Sequence, residues 1–184
     1  MNSPAAAGNV LGALSQVVVD QSLAAVAAAT GQSPTAAAAL SALAEFLDRP
    51  TVDQLRKVLG LTPSGAVRLV DRLADAGLVS RGPGTDGRSR SVTLTERGSE
   101  LASEITTARA KVLDEMLAGM TDQDRETLHR LMSRVMANAV RVKDGGAWIC
   151  RLCDLEACER TLGHCPAAQA AQQKYGGPPA DATT

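Results

Sequence analysis

The sequence predicts a mainly α-helical chain with one small β-hairpin, placed directly after two short helices that meet at a tight turn. Three observations lead there. Apolar residues recur at three- and four-residue spacing through most of the first 140 positions, with Ser or Thr standing before the periodic runs. The stretch "LGLT" at 59–62 joins two short runs through Gly60, where a helix end calls for positive φ. Only the segment 78–94 abandons the helical period. It reads strand, turn-rich loop, strand.

Taken in order, residues 1–9 read as a flexible N-terminus. Val10, Leu11, Leu14, Val17 and Val18 then share a helical face, Leu23, Val26 and Ala27 continue the helix, and Gly31 ends it. Ser33–Pro34 opens a second, alanine-rich helix to about Leu47, with Ser as cap and Pro at a position whose N–H is free anyway. Thr51–Val52–Asp53–Gln54 is a capping-box pattern for a short helix closed by Gly60. Thr62–Pro63 starts the next, closed by Gly77, and the pair has helix-turn-helix spacing. Leu78–Arg81 and Ser91–Leu94 are the strands of a wing, joined by a loop with Pro83, Gly84, Asp86 and Gly87. Thr95 begins a long helix to about Leu117. Thr121 caps a last one carrying Leu128, Leu131, Met132, Val135 and Ala139 on one face.

The totals bound the function. Phe46, Trp148 and Tyr175 are the only aromatic residues, so the core is poor in large rings and gains from a partner chain or a metal. Net charge is −1, yet the stretch 51–98 holds eight basic residues against five acidic ones. The middle of the chain suits a polyanion and its flanks do not. The first basic residue is Arg49, so no charged secretory n-region precedes it. No run reaches the roughly 18 apolar residues of a membrane span. The expectation is a cytoplasmic protein without a membrane partner.

The stretches "LGLTPSGAVRLVDRLADAGLVSR" and "DGRSRSVTLTERG" resemble the MarR family of bacterial winged-helix transcription regulators. The resemblance spans about 10–142 and is strongest over 52–98. The family's wing carries Asp-x-Arg and then a strand ending Leu-Thr-x-x-Gly; here these are Asp86, Arg88, Leu94, Thr95 and Gly98. The tip, "GPGTDGRSR", has glycines where many relatives have charges. The resemblance implies a winged helix-turn-helix with N- and C-terminal dimerisation helices. It also implies a homodimer, a palindromic double-stranded DNA operator, a small-molecule effector and, usually, repression. The chain then divides into a flexible N-terminus (1–9), a winged-helix domain (10–142), a Cys-rich extension (143–168) and a disordered tail (169–184). Within the domain, the DNA-binding lobe lies near 51–98 and the dimerisation helices near 10–30 and 99–142.

On this frame the helix from Thr62 is the recognition helix. Leu69, Val70 and Leu73 face the core, while Ser64, Gly65, Arg68 and Arg72 fall on the other side. The DNA-binding set is Thr62, Pro63, Ser64, Gly65, Arg68, Arg72, Arg88 and Arg90. Arg68 is placed to read guanine through two hydrogen bonds, and Arg88 and Arg90 suit a narrow minor groove. The competing reading pairs Arg68 and Arg72 with Asp71 or Asp75 on a solvated face.

All four cysteines lie in one short stretch, as Cys150, Cys153, Cys158 and Cys165. In a cytosolic chain such clustering points to metal or redox chemistry. Four soft ligands suit a structural Zn²⁺, with His164 as an alternative fourth ligand. Redox-active thiols, an iron–sulfur cluster (Cys165–Pro166 ends some cluster motifs) and inert thiols without a cofactor stay open. An enzyme is not expected: the chain has two histidines and shows no nucleophile–base motif or phosphate loop. The favoured function is a regulator answering a small ligand, a metal or a redox signal. The alternative is a zinc-stapled protein-interaction module on a winged-helix scaffold that does not bind DNA.

Overall fold

The structure, a computed structural model, describes residues 4–83, 90–140 and 147–176 of the 184-residue chain. Helix α1 spans Pro4–Thr30 and so takes in most of the stretch expected to be a flexible N-terminus. Ser33 accepts the Ala36 N–H at 3.3 Å and caps α2, Pro34–Glu45. Ala37, Ala39, Leu40 and Ala42 of α2 have no exposure; their small side chains let α5 come close.

The capping box at Thr51 forms as read. Its N–H donates to Gln54 Oε1 at 2.7 Å, and its hydroxyl accepts the Gln54 N–H at 3.2 Å. It opens α3, Val52–Leu59, which Gly60 ends at φ +66°. Thr62 caps α4, Pro63–Asp75. Strands β1, Val79–Pro83, and β2, Arg90–Leu94, pair antiparallel with Arg81 opposite Val92. The hairpin base is tied to the lobe where Val92 N–H donates to Pro50 O at 2.8 Å.

Thr95 caps α5, Glu96–Leu117, and its hydroxyl also donates to Gly77 O at 2.7 Å. This pulls the start of α5 onto β1 so tightly that a Cβ on Gly98 would lie 1.9 Å from Leu78 O. The glycine of the Leu-Thr-x-x-Gly pattern is thus a steric requirement. A second capping box, Thr121 with Asp124, opens α6, Asp122–Ala139. Helix α7, Pro166–Tyr175, occupies much of the stretch where composition predicts a disordered tail. Pro166 sits in its first turn, and its buried face consists of Ala167, Ala170 and Ala171.

One core holds the lobe together. Leu40, Leu55, Leu69, Val70, Val92 and Ile105 are at most 2% exposed, and each buried side chain of this size contributes roughly 1.5–3 kcal/mol. Much of two helices stays outside it. Helix α6 has no buried residue, and Leu131, Met132 and Val135 are each nearly half exposed. In α1, Val10, Leu11, Leu14, Val17 and Val19 stand in the open. Contrary to the sequence expectation, Ala5–Thr30 is long and apolar enough to cross a membrane by length and composition. Asn9, Ser15, Gln16, Asp20 and Gln21 interrupt that run, and Ser22 and Val26 are buried against the lobe. Both features fit a helix that packs on protein.

Candidate functional site

Helix α4 is amphipathic in the sense the sequence predicts. Ala66, Leu69, Val70 and Leu73 are buried. Thr62, Pro63, Ser64, Arg68 and Arg72 are exposed, and Gly65 is half-buried. The Gly65 N–H donates to Thr62 Oγ1 at 3.1 Å, and a Cβ there would meet that oxygen at 3.0 Å. Gly65 therefore serves the cap directly. Asp71 takes Arg81 of β1 as its ion-pair partner, and neither Arg68 nor Arg72 makes an ion pair among the described residues. Both arginines stand on the exposed face that Ser64 begins. Val67 is 47% exposed on the same side. A methyl-bearing side chain there suits contact with a thymine methyl.

Arg90 is exposed at the start of β2, opposite Pro83. Arg88 and Asp86 lie outside the described residues. Arg49, at φ +46°, donates from Nη2 to Pro83 O at 3.2 Å and adds a positive charge at the hairpin that sequence reading missed. Arg56 is held by Asp53, which accepts from its Nε at 2.9 Å and its Nη2 at 2.7 Å.

A cleft of about 390 Å³ lies between α1, α2, α5 and the start of the cysteine segment. Leu23, Leu59 and Leu152 supply apolar wall, and Arg109 and Arg151 supply positive charge. Ser22 also lines it; its Oγ is buried and has no hydrogen-bond partner among the described residues. None of these residues carries a motif in the sequence. They come from four separate segments that only the fold brings together.

The four cysteines, all free thiols, converge. Cys150 hydrogen-bonds with Cys153 and with Cys165, and Cys158 hydrogen-bonds with Cys165. Cys165 takes two of these bonds, from Cys150 and Cys158, and lies where the Ala168 and Ala167 N–H groups open α7. These donors push its thiol far down, so it is the cluster's favoured thiolate. The bond with Cys150 lowers Cys153 to about 7. Cys150 and Cys158 are pushed up as the donors.

The acidic residues near the cysteines turn elsewhere. Asp154 accepts the Ala157 N–H at 2.9 Å, and Glu159 pairs with His164 at 2.6 Å. His164 is exposed and stands apart from the thiol contacts, which disfavours it as a fourth ligand. The charge that reaches the sulfurs is Arg160, with Nη1 at 3.5 Å from Cys150 Sγ and 3.9 Å from Cys165 Sγ. The contacts form an open chain. As they stand, no three or more His, Cys, Asp or Glu among the described residues are arranged to hold a metal ion. Trp148, two residues before Cys150, is 45% exposed.

Comparison with known proteins agrees with the fold. Residues 30–89 match the model of the MarR family. A MarR family protein from Bacillus stearothermophilus is similar at 21% identity and TM-score 0.67, over 74% of this chain and 95% of its own. The transcriptional regulator PA3341 is similar at 26% identity and TM-score 0.58, over 72% and 96%. CouR from Rhodococcus jostii, bound to p-coumaroyl-CoA, is similar at 22% identity and TM-score 0.56, over 70% and 90%. Each neighbour is covered almost whole, while about a quarter of this chain has no counterpart in it. By the matched segment and these neighbours, residues 30–89 carry a MarR-family helix-turn-helix with its wing, on a fold shared with MarR-type winged-helix regulators, and a C-terminal extension with four cysteines follows.

Proposed function

We propose that the chain binds a palindromic double-stranded DNA operator as a homodimer and acts as a repressor in the cytoplasm, released by a small anionic effector. The observation that carries this is the outward face of α4, where Ser64, Val67, Arg68 and Arg72 are exposed and the two arginines make no ion pair among the described residues. Free guanidinium groups on a helix held rigidly from behind are what groove reading needs. Thr62, Pro63 and Gly65 shape the helix N-terminus that approaches phosphate, while Arg90, with Arg88, reaches the neighbouring groove. The unburied apolar faces of α1 and α6 support the dimer: a second copy covers them, and twofold symmetry then sets two α4 helices on successive turns of one duplex face.

The cleft between α1, α2 and α5 supports the effector reading. Two guanidinium groups, apolar walls and a buried hydroxyl without a partner suit an acid with an apolar body. CouR, with its acyl-CoA, is a fold neighbour in which an anionic ligand of that kind is held.

The test is selection of duplexes from a randomised pool by the full chain, followed by titration at several salt concentrations and measurement of mass in solution. A dimer that enriches a palindrome, with affinity falling steeply as salt rises, is the expected result. A dimer that enriches no sequence overturns the operator reading and leaves a protein-interaction module.

A further inference from the structure

The cysteine extension joins two parts of the molecule. On one side, Leu152 packs against the lobe core, and the Leu155 N–H donates to Glu45 Oε2 at the end of α2, at 2.9 Å. On the other, Cys165, Ala167, Ala170 and Ala171 form a small buried cluster with Val140. Lys174 Nζ there donates to the free carbonyls of Ala137 and Val140 at the end of α6. Between these attachments the backbone from 147 to 165 is turns and one 3-10 turn, Arg160–Leu162, with Glu159 at φ +49° and Gly163 at φ +80°. So little regular structure, with Leu155 as its largest buried apolar side chain, does not hold its own shape without a cross-link.

We propose that Cys150, Cys153, Cys158 and Cys165 form a structural tetrathiolate site for one zinc-class divalent cation, and that the loaded site clamps the ends of α2 and α6 to one another. The donor set is soft and fourfold, as a closed tetrahedral site requires. Bond lengths near 2.3 Å place tetrahedral sulfur ligands about 3.8 Å apart, and the sulfurs are already gathered: Arg160 Nη1 lies 3.5 Å from Cys150 Sγ and 3.9 Å from Cys165 Sγ, and Cys158 packs against the cluster that buries Cys165. Loading closes the open chain of contacts around one point, and each thiol that binds gives its proton to solvent. An iron–sulfur cube instead holds its cysteine sulfurs on separate irons, farther apart than sulfurs in contact.

Arg160 supplies the second observation. Its guanidinium is set against two buried sulfurs and pairs with no carboxylate among the described residues. Four thiolates on one divalent cation carry a net negative charge, and Arg160 is placed to offset it. The site adds to the regulator reading and does not rest on it.

The test uses the full chain, reduced, stripped with a chelator and titrated with Co²⁺ and then Zn²⁺. One equivalent of Co²⁺ should give sulfur-to-metal charge transfer and the visible bands of a tetrahedral site, and Zn²⁺ should bleach both. Zinc should slow amide exchange over 147–175 by about tenfold or more and leave the lobe at 52–82 unchanged. Glu45→Ala should keep the stoichiometry and lose part of the exchange protection at Leu155. Absence of a cobalt spectrum in folded, reduced protein overturns the proposal. So does iron with acid-labile sulfide in protein isolated without air. Because no DNA enters this experiment, its failure is distinct from failure of operator binding.

Discussion

In the lobe, leucine, valine and isoleucine from α2, α3, α4, β2 and α5 meet in one closed core. In the extension, the buried set is Leu155, three alanines and the thiols of Cys150 and Cys165, with Val140 at the end of α6 packed against it. The first region is held by area removed from water, the second by directed contacts: Lys174 on α6 carbonyls, Glu45 on a backbone N–H, sulfur on sulfur. The lobe therefore tolerates changes at its surface and resists changes in its interior. The extension depends on a few polar groups, each of which acts almost alone.

The largest effect that tests this contrast is expected at Gly98. Its missing Cβ lets α5 start against the Leu78 carbonyl, and a backbone oxygen at 1.9 Å cannot step aside as a flexible side chain would. Gly98→Ala should cost about 3 kcal/mol of global stability, at the upper end for overpacking, read as a shift in the urea midpoint of the lobe. A loss below about 0.5 kcal/mol would show that β1 and α5 are not locked together. Arg68→Ala should leave that midpoint in place. On the selected operator it should weaken binding by about 1–3 kcal/mol and relax discrimination at one base pair. Equal loss on operator and random duplexes would make Arg68 a phosphate contact instead.

The lobe was the more legible region because its signals are local. A cap, a period and a glycine sit within a few residues of what they determine, so Ser33, Thr51, Thr62, Thr95 and Thr121 all mark helix starts where the sequence places them. The extension was legible only as a thiol count. Arg160 lies in the same stretch, but its contact with two sulfurs depends on positive-φ turns at Glu159 and Gly163, which no periodicity announces. The cleft is less legible still, since Ser22, Arg109 and Arg151 are far apart in sequence. Helix α7 was hidden by composition: a Gly/Pro/Ala tail reads as disordered, while Ala167, Ala170 and Ala171 find a surface only once α6 is in place.

A smaller effect isolates the extension. Lys174→Met removes the ammonium that closes α6 and should cost about 1 kcal/mol. The loss should appear as faster amide exchange in α7, with no change in the lobe's midpoint. Equal slowing or quickening in both regions would mean that they unfold as one unit, and the contrast between them would fail.

The smallest expected effect lies at the lobe surface. Asp53, in the first turn of α3, accepts hydrogen bonds from Lys57 and Arg56, and these hold its carboxyl below the ordinary value of 3.8. A depressed folded value means that the contribution is complete above 3.8 and is lost as pH falls through the lower folded value. Asp53→Asn should therefore leave a lobe slightly less stable than the parent at neutral pH, with the gap shrinking as the carboxyl protonates. Because the pair is exposed, added salt should shrink the gap too. Urea midpoints of parent and variant at neutral and acid pH, each at low and high salt, read both dependences. A gap that persists in acid would assign the effect to the capping turn of α3 itself, where the asparagine side chain replaces a charge near the helix N-terminus.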